Sequence, residues 1–366
     1  MLTALFSGMH FLEDGLCAAA MFSAFIGRPD GQTAVLIYDF CAFALQAVFG
    51  AVLDLLNTGA ESEQKRMIRS AICAVLGVLI TFIGVFAGPV FLGCGNALFH
   101  VGGGVGTIYE DRRKKRGGRN LGVFVAPGAL GLYLGTVFGK SKASGNYLLL
   151  SGLLLLIFAG LAVLLFRWIL RKDNGYGQKD GDCNQQDNGD CADGSEETGR
   201  TGTPAALLAV FLCFLVVVLR SYTGMAIGFS WKTGFFMSLI SVLAVVLGKV
   251  AGGFINARFG TGKTVTVTLL FAAVCYFFSD SPAAGIPALF LFNMTMPVTL
   301  YLITERYRAL PGTMFGVLTL ALFLGFLPVY FGFQTEIPGH IAGMALCLIS
   351  MFLLLAAVGL LKNNHE

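Results

Sequence analysis

Long apolar runs recur along this chain, among them 147–170, 205–219 and 338–361. A helix of about 20 such residues crosses the hydrocarbon core of a bilayer, where each backbone polar group must find its partner within the segment or in a closed sheet. A transmembrane barrel would instead show short alternating segments of about ten residues, which these runs exclude. Composition agrees: 56% of residues are hydrophobic and 13% charged, with a mean hydropathy of +0.76, far from the quarter charged of a soluble domain. The fold class is therefore an all-α polytopic membrane protein.

Apolar runs bounded by charge, Gly and Pro predict twelve transmembrane helices near 2–26, 33–55, 67–86, 89–109, 119–138, 147–170, 204–228, 232–256, 262–279, 283–303, 311–331 and 338–361. Residues 171–203 are polar, rich in Gly, Asp, Asn and Gln, and read as an acidic flexible linker. They divide the chain into two pseudo-symmetric six-helix halves, 1–170 and 204–366. The first run has no basic start and no small-residue cleavage pattern, so it is expected to be a retained span. Most Lys and Arg residues, including the cluster from Arg112 to Arg119, fall on connections of one side, which places both termini and the linker in the cytoplasm of a bacterial inner membrane.

The small net charge of +4 gives no footprint for nucleic acid. Seven of the nine Cys sit in apolar runs as small hydrophobes, and the remaining pair, Cys183 and Cys191, has no zinc spacing. No metal and no cofactor are expected. A polytopic lipid enzyme would need nucleophilic or metal-binding residues gathered at one membrane face, and no such group is legible.

Several short motifs carry more. Gly50-Ala-Val-Leu-Asp54 closes the second span and is echoed by Gly252-Gly-Phe-Ile-Asn256, followed by Arg258 and Gly260, at the end of the eighth. This pair resembles the signature between the second and third spans of the major facilitator superfamily and its counterpart in the second half. His10-Phe-Leu-Glu-Asp14, Ala97-Leu-Phe-His100 and Leu219-Arg-Ser-Tyr222, with the glycine-rich run from Gly122 to Gly135, resemble the fosmidomycin-resistance branch of that superfamily. The chain departs from that branch at Val101, Gly102 and Gly103, where the branch tends to carry Pro and an acid. The resemblance implies a twelve-helix major facilitator fold, alternating access, and proton-linked efflux of small molecules by a monomer.

Ionisable groups at bilayer depth are expensive and so are functional candidates. His10, Glu13 and Asp14 lie three and four apart on the first span, where they could face a cavity together or serve as hydrogen-bonded packing groups. Asp14, Glu13 and His100 are the candidates for proton coupling. Arg220, in the span matching the first, is the candidate for binding a negative substrate group or for pairing with Asp14 or Glu13. His10, Asn96, Tyr222, Asn293 and Asp39 are the other candidate substrate contacts, and Lys249 is expected to snorkel. Asp54, Arg112, Arg113, Arg119, Asn256 and Arg258 are candidate gate residues. The functional expectation is proton-coupled export of a small organic, anionic compound. Import or facilitated passage of such an anion on the same fold is the alternative.

Overall fold

Pro and Gly mark most of the helix boundaries. In the computed structural model, which describes residues 1–59, 62–141, 145–171, 203–333 and 337–362, Gly88 takes a positive φ of 116° and Pro89 opens the next helix, a position that needs no N–H donor. Ser62, Thr203 and Ser281 cap three other N-termini by accepting from backbone N–H groups.

The described residues form helices and no strand. In order these are α1 (Leu2–Ala20), α2 (Gly31–Asp39), α3 (Gln46–Asn57), α4 (Glu63–Ala87), α5 (Pro89–Arg113), α6 (Arg119–Val125), α7 (Pro127–Gly139), α8 (Tyr147–Arg171), α9 (Pro204–Ala226), α10 (Gly234–Phe259), α11 (Thr261–Phe277), α12 (Pro282–Asn293), α13 (Thr295–Arg306), α14 (Pro311–Tyr330) and α15 (Gly339–Lys362). A π-helical turn extends α1, and another joins α2 to α3 in one rod. Nine helical segments among the described residues are long and apolar enough to cross a membrane. Of the other long helices, α1 carries His10, Glu13 and Asp14, α5 ends in Glu110, Asp111, Arg112 and Arg113, and α11 has 17 residues. The expected linker, with Cys183 and Cys191, lies outside the described residues except at its two ends.

Glycine decides which helices touch. Gly131 and Gly135 of α7 lie against the backbone of α1, where a Cβ would come within 2.0 Å of Phe11 O and 2.2 Å of Gly15 O. Gly77, Gly84, Gly95 and Gly102 do the same between α4 and α5. The run Gly102–Gly106 is thus a packing face inside α5, also met by Phe6, Phe124 and Phe315. Later in the chain, α9 packs on α14 and α15, α10 on α12, and α11 on α15; α3 against α14 and α6 against α10 join the earlier helices to the later ones.

Candidate functional site

The site forms around a helix break. Pro127 has no N–H to donate back to Val123 O, the helix breaks between Val125 and Pro127, and side chains meet the carbonyls of Val123, Phe124 and Val125. Ser7 Oγ donates to Val123 O at 3.1 Å, His10 Nδ1 bonds Phe124 O at 2.7 Å, and Lys249 Nζ donates to Val125 O at 3.2 Å. Residues from α1 and α10 therefore read the same break from its two sides.

His10 and Asp14 share one face of α1, with Nε2 and Oδ2 3.2 Å apart. From α5, His100 Nε2 lies 3.5 Å from Asp14 Oδ1 and 2.9 Å from His10 Nε2, and Asn96 Nδ2 donates to Asp14 Oδ1 at 3.1 Å. His100 Nδ1 bonds Asn96 O one turn back at 2.8 Å. Gly128 makes room for the pair: a Cβ there would stand 2.2 Å from His10 Nε2 and 2.3 Å from Asp14 Oδ2. The Asp14 side chain keeps 20% of its surface accessible and that of His100 keeps 12%, so the cluster is not fully sealed.

Glu13 does not join it. Its side chain is fully buried toward α4, where Oε1 accepts from Thr81 Oγ1 and Oε2 has no partner among the described residues. Glu13 and Asp14 are consecutive, so they point about 100° apart around the helix, and here that angle separates an acid packed on α4 from an acid held by two imidazoles. Of the two readings open for this trio, a shared cavity or hydrogen-bonded packing, Glu13 takes the second.

Of the two partners expected for Arg220, the acid on α1 is not the one it meets. Among the described residues it forms no ion pair and no hydrogen bond, and its buried Nε is without a partner. Asp14 spends its charge on the two imidazoles instead. The neighbour of Arg220 is Lys249, which lies within electrostatic reach of Arg220 and Asp14 and acts on His100 as well. Lys249 does not snorkel to an interface but stays with the cluster. Its position seven residues before Asn256 gave no hint of that, because only packing on α6 turns it inward. Asn293 donates to Leu289 O of its own helix at 2.8 Å, whereas Tyr222 and Asp39 are half-buried and make no hydrogen bond among the described residues.

Two imidazoles and a carboxylate within 4.8 Å of one another are donors that a divalent metal could use. The Lys249 charge near them opposes a dication, and among the described residues no further His, Cys, Asp or Glu joins the set.

The gate candidates gather at one end of the molecule. Asp54 caps the N-terminus of α14, accepting from Gly312 N at 2.9 Å, Thr313 N at 2.7 Å and Thr313 Oγ1 at 2.8 Å, while Gly50 lets the two backbones meet. This explains the Gly-x-x-x-Asp spacing. In the echo, Gly252 meets Met294 O, Gly253 meets Gly118 O, and Asn256 Nδ2 donates to Gly117 O at 3.3 Å. Arg112 donates to Glu305 Oε1 at 3.1 Å, to Arg308 O at 2.9 Å and to Thr304 O. Arg113 pairs with Glu110 of its own helix, Arg119 lies 5.9 Å from the Phe254 ring, and exposed Arg258 lies over Phe259. The sequence reading missed Asp111, which accepts from Gly118 N at 2.7 Å and Asn120 N at 2.9 Å, and Glu305. An acid immediately before the Arg112 cluster was the available signal for Asp111.

No protein-family model and no curated protein matches the sequence. Among solved structures, the chain is similar to a major facilitator superfamily transporter, FucP, in the outward conformation, with TM-score 0.59, 13% identity and 98% of each chain covered. A variant of the E. coli fucose:proton symporter FucP gives 0.55 at 14%, again over 98% of each chain. The human organic anion transporter MFSD10 (TETRAN) gives 0.54 at 15%, over 96% of this chain and 98% of that one. The fold is thus that of major facilitator transporters; the likeness to the fosmidomycin-resistance branch rests on the short motifs alone.

Proposed function

We propose that this protein is a twelve-span secondary transporter that works by alternating access between halves 1–170 and 204–366 and carries a small organic anion coupled to protons. The fifteen α-helices group naturally into twelve crossings when α2 with α3, α6 with α7, and α12 with α13 each count once. The observation that carries the substrate reading is the pair Arg220 and Lys249, two cations that among the described residues have no acid in ion-pair contact. Uncompensated cations at bilayer depth are costly, and an anion that bonds both relieves that cost. Tyr222, Asn293 and Asp39 are the remaining proposed contacts, with Asn96 holding Asp14 in place. The His10, Asp14 and His100 cluster is the proposed proton site, while the ties of Asp54, Arg112 and Asn256, with Arg113, Arg119 and Arg258 around them, form the cytoplasmic gate.

The motif resemblance points to export. The charges favour the alternative, in which anion and proton move together. An anion at Arg220 and Lys249 neutralises the cations that oppose a proton on the His pair, so each ligand strengthens the other by the same factor. The decisive experiment takes the purified protein through a thermal-shift panel of carboxylates, phosphonates and organic cations. Anions alone should raise the melting temperature, by the equivalent of about 2.7 kcal/mol at a hundredfold excess over Kd. Arg220→Ala and Lys249→Met should each remove the effect, and the anions so found should enter acid-outside proteoliposomes faster than pH-matched ones. Hits that are all cationic, or undiminished anion binding in both variants, overturn the reading.

A further inference from the structure

His10 Nδ1 lies 2.7 Å from Phe124 O, and His100 Nδ1 lies 2.8 Å from Asn96 O. A carbonyl oxygen only accepts, so both Nδ1 atoms carry hydrogen. In two neutral rings both Nε2 atoms would then present lone pairs to each other across 2.9 Å, with a carboxylate oxygen 3.2 and 3.5 Å away. Four acceptor sites facing one another with no hydrogen between them repel. We propose that the transported proton is held between His10 Nε2 and His100 Nε2, with Asp14 as its counter-ion and not its carrier.

One ring is then an imidazolium whose Nε2–H donates to the other ring, a charge-assisted bond of the strong kind. Asp14 balances the positive charge from the side, and Asn96 keeps its carboxylate turned inward. The groups around the pair and its counter-ion come from six elements: Asp14 and Cys17 on α1, Tyr38 on α2, Asn96 on α5, the Phe124 carbonyl on α6, the Gly128 backbone on α7, and Lys249 on α10, with Arg220 on α9 behind it. Glu13 is turned away to Thr81. When the proton leaves, the two lone pairs push the rings apart. His10 is anchored to Phe124 O, next to the Val125 O held by Lys249, so the loss of one proton is felt at the α6 break where the later helices begin to engage. The proposal deepens the transport reading by naming the atoms that hold the proton, and its test needs no substrate.

The chain has 4 His, so imidazole ¹⁵N spectra of the full-length protein in nanodiscs are simple to assign by single replacement. Across a pH titration without substrate, His10 and His100 should lose one proton between them, in a single step that shifts both rings together. His10→Gln and His100→Gln should each abolish that shared step. Asp14→Asn should keep it but hold the proton less tightly, so that release comes at a lower pH. If either glutamine variant is not monodisperse, the Asp14→Asn spectrum decides alone, since a carboxylate carrier predicts that the step vanishes there. Independent titration of the two rings in the native protein overturns the proposal, as does a step that survives both glutamine variants. A Co²⁺ spectrum showing imidazole ligation, with both rings insensitive to pH, overturns it in favour of a metal. Because this readout uses the empty protein, a failed anion screen leaves it standing, and its own failure leaves the anion site intact.

Discussion

At the residue scale, the difference between Glu13 and Asp14 is one of direction. Adjacent acids on a helix point about 100° apart, and α4 takes one while the two imidazoles take the other. Glu13→Gln should therefore keep the fold and leave any response of transport to a pH gradient intact, because a carboxamide oxygen accepts the same Thr81 bond. Proteoliposome flux under an imposed gradient checks this; loss of the response in a well-folded Glu13→Gln protein would return Glu13 to the proton path. Lys249 makes the complementary point. A lysine near a span end is ordinarily read as reaching for water, and only the free Val125 carbonyl, exposed by Pro127 in a different helix, gives it a partner inside.

The element scale is governed by close approach. The Gly50–Gly312 crossing brings α3 and α14 together so tightly that a Cβ on Gly50 would sit 2.0 Å from Gly312 O, and the same approach lets Asp54 cap α14. Gly50→Ala must part these helices, so it should cost about 1–3 kcal/mol as an overpacking change. It should also loosen the cap, worth about 0.5–2 kcal/mol. Gly8→Ala, with nothing within 4 Å of the added carbon, is the matched control. The comparison is read as melting temperature together with thiol accessibility of a cysteine placed at Thr313. Equal values for the two variants would mean that the crossing is not a closed contact in the membrane.

For the whole molecule, the ties between earlier and later helices are concentrated at the end where α3, α5, α10 and α13 finish: Asp54 to α14, Arg112 to Glu305, Asn256 to Gly117. If that end is cytoplasmic, as the positive-inside bias of the clustered Lys and Arg residues predicts, Lys115→Cys in a cysteine-free background should react with an impermeant thiol reagent only from the cytoplasmic side, and Lys140→Cys only from the opposite side. Reaction of Lys140→Cys from the cytoplasm reverses the orientation.

The sequence alone determined the class of fold, because a bilayer admits few solutions and apolar length is written directly in the chain. It also determined the spacing of the gate motifs, since Gly at a crossing and a carboxylate one turn later are local facts. It marked His10, Asp14, His100 and Arg220 as too polar for their depth. Only the tertiary structure decided what each of them meets. Rotation about α1 sends Glu13 to Thr81 and Asp14 to two imidazoles from separate segments, and Arg220 ends beside Lys249 instead of an acid. Side-chain direction depends on which helices pack together, and here that is set by glycine contacts and a proline break far along the chain from the groups they arrange.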